Sequence, residues 1–190
     1  MRIIIFFLLL FCSASLHLNA QKHHASGHAQ MDKLLLADSL PPIIVVDTTP
    51  VKTLIFPLPV GHVNDFEHDF TAAQIHELDS ILLSFDTATS NHLVLVTTDS
   101  IVPFSTIADY AMQLFDEWGI GMATKNNGLL IVFSKQRKEI RIVTGSGTEK
   151  VISNQMCKDI IDTIIVPAAK QAAYYEGLKL AVLYLIGLWH

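Results

Sequence analysis

The stretch from Trp118 to Gly147 constrains this chain more than any other. It holds Trp118-Gly119-Ile120-Gly121, then Lys125-Asn126-Asn127-Gly128, an apolar run, a charged turn and Gly145-Ser146-Gly147. Leu129 to Phe133 has the length and β-branched content of a buried strand, and Glu139 to Val143 alternates polar and apolar residues as a half-buried strand does. With Ser134 to Lys138 as the turn, the two runs predict a hairpin. Pairing puts Gly128 across from about Gly145, so Asn126, Asn127 and the segment from Gly145 to Glu149 converge at one end of a sheet.

The flanking pattern supplies helices. Thr71 with Gln74 forms a capping box ahead of Ile75, Leu78, Leu82 and Phe85, which predicts a first helix over Thr71 to Phe85. Leu93 to Thr97 reads as a strand. Thr106 with Asp109 caps a second helix carrying Ile107, Ala111, Leu114, Phe115 and Trp118 on one face, and Gly119 ends it. After the hairpin, Ser153 caps a third helix with Cys157, Ile160, Ile161 and Ile164 on its buried side, expected to break at Pro167. A last helix begins at about Ala168 or Tyr174 and runs to Leu188. The strand, helix, strand order from Leu93 to Phe133 makes those strands parallel, and the hairpin adds an antiparallel neighbour. The expected fold is a three-layer α/β/α sandwich around a small mixed sheet.

Upstream of this domain the chain changes character. Met1-Arg2, an apolar run from Ile3 to Phe11 and a small-residue end at Leu18-Asn19-Ala20 read as a signal peptide cleaved after Ala20. The run is well short of the roughly 20 residues a spanning helix needs, which disfavours a membrane anchor. Cys12 raises a lipoprotein alternative, set back by bulky Phe11 where a small residue is wanted. Residues 21 to 59 carry His23, His24 and His28, a short apolar piece at Ile43 to Val46 and prolines at 41, 42, 50, 57 and 59, the composition of an extended leader. The domain proper is placed at residues 60 to 188. Leu178 to Trp189, interrupted by Lys179, is too short to cross a bilayer and is read as core, so no transmembrane anchor is expected after cleavage.

Charge and cysteine content exclude some functions. The chain has 13 basic and 18 acidic residues; removing the signal deletes Arg2 alone, leaving 12 − 18 = −6. Phosphate-backbone affinity comes from clustered Lys and Arg, so nucleic acid is not an expected partner. Cys157 is the single cysteine beyond the signal, which rules out an intramolecular disulfide, and its apolar setting reads as packing.

The landmarks together resemble the TPM domain family, which includes a thylakoid-lumen acid phosphatase linked to photosystem II repair and many bacterial exported or membrane-anchored proteins. The resemblance covers about Phe56 to Ile186. It rests on the entrance Phe56-Pro57-Leu58-Pro59-Val60-Gly61-His62-Val63-Asn64-Asp65-Phe66, on Tyr110-Ala111 through Trp118-Gly119-Ile120-Gly121, and on Asn127-Gly128-Leu129-Leu130. Arg137, Gly145-Ser146-Gly147-Thr148-Glu149, Pro167 and Tyr174-Tyr175-Glu176-Gly177 complete it.

That resemblance implies a site for calcium or another divalent cation, with phosphatase activity in some members. Carried over residue by residue, the site comprises Asp65, Asn126, Asn127, Glu149 and Asn154. Asn126 stands where the family commonly has Asp before Asn-Gly, and Asn154 where it has Asp after the Gly-x-Gly-x-Glu segment. A carboxamide oxygen still coordinates calcium, but each exchange removes a negative charge and weakens binding.

The residues themselves leave a second reading open, in which Asn126-Asn127-Gly128 and the two later glycines serve only as turn chemistry. Gly145-Ser146-Gly147 lacks the frame of a hydrolase elbow and of a phosphate-binding loop. His62, His68, His76 and His92 show no ligand spacing on one helix face and read as surface or capping residues. The expected function is an exported, periplasmic or secreted cation-binding module that meets a protein partner of the envelope in complex assembly or repair. The alternative is a metal-dependent acid phosphatase acting on phosphomonoesters, with no catalytic residue assigned.

Overall fold

The computed structural model describes residues 55–189; the expected signal peptide and the leader up to residue 54 lie outside the described residues. The hairpin forms as expected, with β3 (Gly128–Ser134) and β4 (Glu139–Thr144) antiparallel and Leu129 opposite Thr144. Gly145 donates its N–H to the Gly128 carbonyl at 2.9 Å, so those two glycines do face each other. On the other side of β3 lies β2 (His92–Thr97), parallel, with His92 level with Gly128 and Thr97 level with Phe133. A short strand that sequence periodicity does not reveal, β1 (Val63–Asp65), pairs parallel with β2 and completes the order β1-β2-β3-β4.

The alternation of strand side chains divides the core into two layers. Leu129, Ile131 and Phe133 join Val63, Leu93, Leu95 and Ile142 on one face, packed by α1 (Ala72–Thr89), α3 (Asn154–Ile160) and α5 (Tyr174–Leu188). Leu130 and Val132 join Val96 and Val143 on the other, covered by Tyr110, Ala111 and Leu114 of α2 (Ile107–Trp118). β3 is buried along its whole length because helices cover both of its faces and a strand flanks each edge. The fold is thus the α/β/α sandwich anticipated from the element order. Phe56, ahead of β1, is buried against Phe104 and Tyr110 in the α2 layer.

Two helix ends depart from expectation. The capping box at Thr71 and Gln74 starts α1, but the helix runs a turn beyond Phe85 to Thr89 and stops on a left-handed Ser90. Pro167 does not break the third helix. A π-helical turn (Ile161–Ile165) follows α3 and leads directly into α4 (Val166–Lys170), with the Val166 N–H bonded to the Ile161 carbonyl. The widened turn removes the clash and lost hydrogen bond that an in-register proline would impose, and shifts the buried position from the expected Ile164 to Ile165.

Candidate functional site

Four backbone segments meet where β3 begins and β4 ends. Asn126 adopts a left-handed conformation, φ 49°, which turns its carbonyl towards the Gly147 and Thr148 N–H groups at 3.0 and 3.3 Å. The Thr148 hydroxyl, fully buried, donates to the Gly128 carbonyl at 2.9 Å. That stitching fixes a short 3₁₀ turn (Thr148–Lys150), on which Glu149 is exposed. Glu149 Oε1 accepts a 2.6 Å hydrogen bond from Asn154 Nδ2 at the start of α3. Asn126, Glu149 and Asn154 therefore lie at one end of the sheet, as the hairpin register predicts.

Asn127 lies at the same end but is internal. Its Oδ1 accepts from the Met122 N–H at 2.9 Å, and its Nδ2 donates to the Ser90 carbonyl at 2.6 Å and to Asn91 Oδ1 at 3.1 Å. The side chain clamps the loop after α2 to the loop after α1. Asn126 also lines a small cleft of about 210 Å³ with Asp116, Gly121 and Gly145, which adds a carboxylate that sequence spacing does not connect to this end.

Asp65 is elsewhere. It is level with Thr97 and, through β2, with Phe133, whereas Asn127 precedes Gly128, five residues back along β3 or roughly 17 Å away at strand rise. Its carboxylate organises the turn into α1: Oδ1 accepts from the Thr97 hydroxyl at 2.5 Å and the Asp69 N–H at 3.1 Å, and Oδ2 from the Phe70 N–H at 2.9 Å. Beside it, Asp69 pairs with Lys135 at 2.6 Å, and its other oxygen is buried without a hydrogen-bond partner.

A fold of this order, with Gly121, Asn127-Gly128 and the Gly145–Glu149 turn packed at one sheet end, matches the TPM domain family over residues 63–188. The chain belongs to the TPM domain family. Solved structures agree with this membership. The N-terminal domain of a protein from P. gingivalis aligns with a TM-score of 0.62 at 27% identity, covering 67% of this chain and 80% of that one. The BA42 protein of the psychrophilic bacterium Bizionia argentinensis aligns at 0.57 and 18% identity, covering 65% and 83%. The N-terminal domain of a Corynebacterium glutamicum protein aligns at 0.52 and 13%, covering 73% and 84%. The last two show a shared fold. No curated protein matches this chain.

For a TPM domain the cation question turns on donor chemistry. Glu149 offers a carboxylate with one recorded donor, Asn126 and Asn154 offer exposed carboxamides, and all three are hard oxygen ligands of the kind calcium takes. One carboxylate among them suits a loosely held, water-rich ion. Two nearby nucleophiles are engaged or quiescent. Ser153 Oγ accepts from the Met156 N–H as the α3 cap, and burial pushes the Cys157 thiol upward in pKa, away from the reactive thiolate.

Two histidines assigned surface or capping roles from sequence behave differently. β1–β2 pairing brings His62 and His92 together on the Asp86 carboxylate, in the extra turn of α1. Strand periodicity conceals this, because His62 precedes a strand only three residues long. Among the described residues, no helix is long and apolar enough to cross a membrane.

Proposed function

We propose that this TPM-domain protein is an exported binding module of the cell envelope that holds a divalent cation weakly and meets a protein partner through the same sheet end. The observation that carries the reading is the 2.6 Å contact between Glu149 and Asn154. Where a second carboxylate would need a cation to relieve its repulsion with Glu149, the amide of Asn154 supplies an N–H instead. A calcium ion competes with that N–H for the Glu149 oxygen. It gains Asn154 as a ligand only when the amide turns its oxygen inward, with Asn126 and water completing the shell. Affinity is then expected near the 10⁻⁴ to 10⁻³ M of extracellular calcium modules, about the weakest class.

Export rests on the sequence of residues 1 to 20, and is tested by the intact mass of the secreted protein, which should begin at Gln21. For the cation, calorimetric titration of wild type and Asn154→Asp with calcium is decisive. The variant restores a carboxylate beside Glu149 and should bind more tightly, by about tenfold. Failure of calcium to bind either protein removes the cation from the function.

A further inference from the structure

From the open edge of β4 and the groove beside it we infer a docking site for an extended acidic peptide, which adds a fifth strand to the sheet. β4 is the last strand in the order β1-β2-β3-β4. The Gly145 N–H bonds to the Gly128 carbonyl, and bonded and unbonded pairs alternate along an antiparallel ladder. Glu139, Arg141 and Val143 therefore turn their backbone groups to β3, while Ile140, Ile142 and Thr144 turn theirs outward. Among the described residues no strand, turn or cap takes up those outward groups. The opposite edge is blunted: β1 is three residues long, and Asp79 Oδ1 accepts the His62 and Val63 N–H groups at 2.8 and 3.2 Å.

Two clefts of about 390 and 380 Å³, both lined by Ile140, make a groove along this edge, between β4 and the helical run from α3 to α4. Phe133, Ile165 and the Tyr174 ring add apolar surface to the first, and Ile142, Cys157 and Ile161 to the second. An antiparallel strand bonded to Ile140, Ile142 and Thr144 places the side chains of its own bonded residues on the face of Ile140 and Ile142, over the clefts. Apolar side chains at every second position then fill them, as pockets for alternate side chains are filled in strand addition.

Charge selects an acidic peptide. The chain is acidic overall, with 18 acidic against 13 basic residues, yet the two clefts gather Lys135, Lys138, Lys170, Arg141 and Lys158 around a single carboxylate, Glu139. Asp69 engages Lys135, Asp162 engages Lys158, and Arg137 engages Glu139. Lys138, Arg141 and Lys170 are exposed and make no ion pair among the described residues, so their charges meet an incoming strand uncompensated. Of the calcium ligands proposed above, Asn154 lines the groove while Asn126 and Glu149 do not, and strand addition needs no cation.

The test titrates a capped, dye-labelled peptide, Glu-Val-Glu-Ile-Glu-Val-Glu, with the full mature chain and follows fluorescence anisotropy, alongside sedimentation of the chain alone. Binding should saturate at one peptide per chain. N-methylation of the Val and Ile nitrogens, which face β4, should abolish it, and N-methylation of the inner Glu nitrogens, which face away, should not. Lys138→Gln with Lys170→Gln should weaken binding by about tenfold, the joint loss of two exposed charge pairs. Lys125→Gln, outside both clefts, should leave it unchanged, as should Glu149→Gln, so this inference and the calcium reading can fail separately. Equal binding of the scrambled peptide Glu-Glu-Glu-Glu-Val-Ile-Val would reduce the groove to a basic patch and overturn the inference. So would equal effects of the two methylation patterns, or no binding at all; a chain that takes no peptide and sediments as a dimer would assign the edge to a second copy.

Discussion

Replacing Asn127 by Ala separates a structural duty from a ligand duty at a position that family resemblance assigns to a cation. The side chain is 6% exposed and makes three hydrogen bonds, to the Met122 N–H, the Ser90 carbonyl and Asn91 Oδ1. Each is worth about 1 kcal/mol net, so their joint loss amounts to about 3 kcal/mol. Met122 and Ser90 are exposed residues, so water can partly re-pair their backbone groups, which lowers the expected cost to about 2–3 kcal/mol. The His92 N–H bond to the Asn127 carbonyl at 3.1 Å is untouched, because alanine keeps the backbone.

Such a loss is a large share of the roughly 5–15 kcal/mol that holds a domain together. For a domain of this size it corresponds to a fall of about 10 °C in Tm. The assay is urea unfolding of wild type and Asn127→Ala, in chelator and again in excess calcium. The midpoint should drop equally in both, with an unchanged slope. Glu149→Gln, on an exposed turn, should remain within about 0.5 kcal/mol of wild type in chelator. If Asn127→Ala matched wild type in chelator and fell behind only with calcium, Asn127 would be a ligand and its role as a clamp would be refuted.

Two further outcomes test the packing around the site and on the opposite helix. Burial, and hydrogen bonding to Glu77, push the Tyr175 phenol up to about 12, while Lys179 and Tyr175 hold the Glu77 carboxyl below its ordinary value. Because the folded phenol is raised above its unfolded value of about 10, its contribution is present below that pH and is lost as pH rises towards 12. Absorbance titration should show a late-ionising tyrosine whose midpoint falls in Glu77→Gln; an unchanged midpoint would break the assignment. A Cβ on Gly128 would sit 2.1 Å from the Ile120 carbonyl oxygen, a backbone atom that cannot swing away. Gly128→Ala should therefore cost more stability in urea than Gly119→Ala, which meets nothing within 4 Å and pays only for its φ of 60°, about 1 kcal/mol. Equal midpoints would contradict it.

Much of the fold is legible in sequence because local signals and tertiary packing agree. The Thr71–Gln74 box, the Thr106 cap and the Gly119 stop all appear where residue chemistry puts them. The hairpin is legible for the same reason: strand period and turn length fix its register, and the register fixes which polar groups share an end. β1 is not, since three residues cannot display a period and only pairing with β2 makes them a strand. Pro167 misleads because proline reports a local preference, while a π turn just ahead of it carries the helix through.

The glycine landmarks owe their spacing to contact between backbones as well as to turn angles. Gly147 would drive a Cβ to 2.0 Å from the Lys125 carbonyl oxygen, and Gly145 would drive one to 2.3 Å from that of Asn126. Those close approaches pull the segments on either side of the hairpin together and carry Asn126 and Glu149 with them. Ligand chemistry is then a matter of what the closed backbone presents outward. At Asn127 it presents nothing, because the amide is spent on the closure itself; at Glu149 and Asn154 it presents a carboxylate and an amide to solvent. Sequence order alone cannot separate those cases, since Asn126 and Asn127 are neighbours in the chain yet one is exposed and the other buried. Nor can it find Asp86, whose meeting with His62 and His92 depends on a final turn of α1 and on the pairing of a strand too short to announce itself.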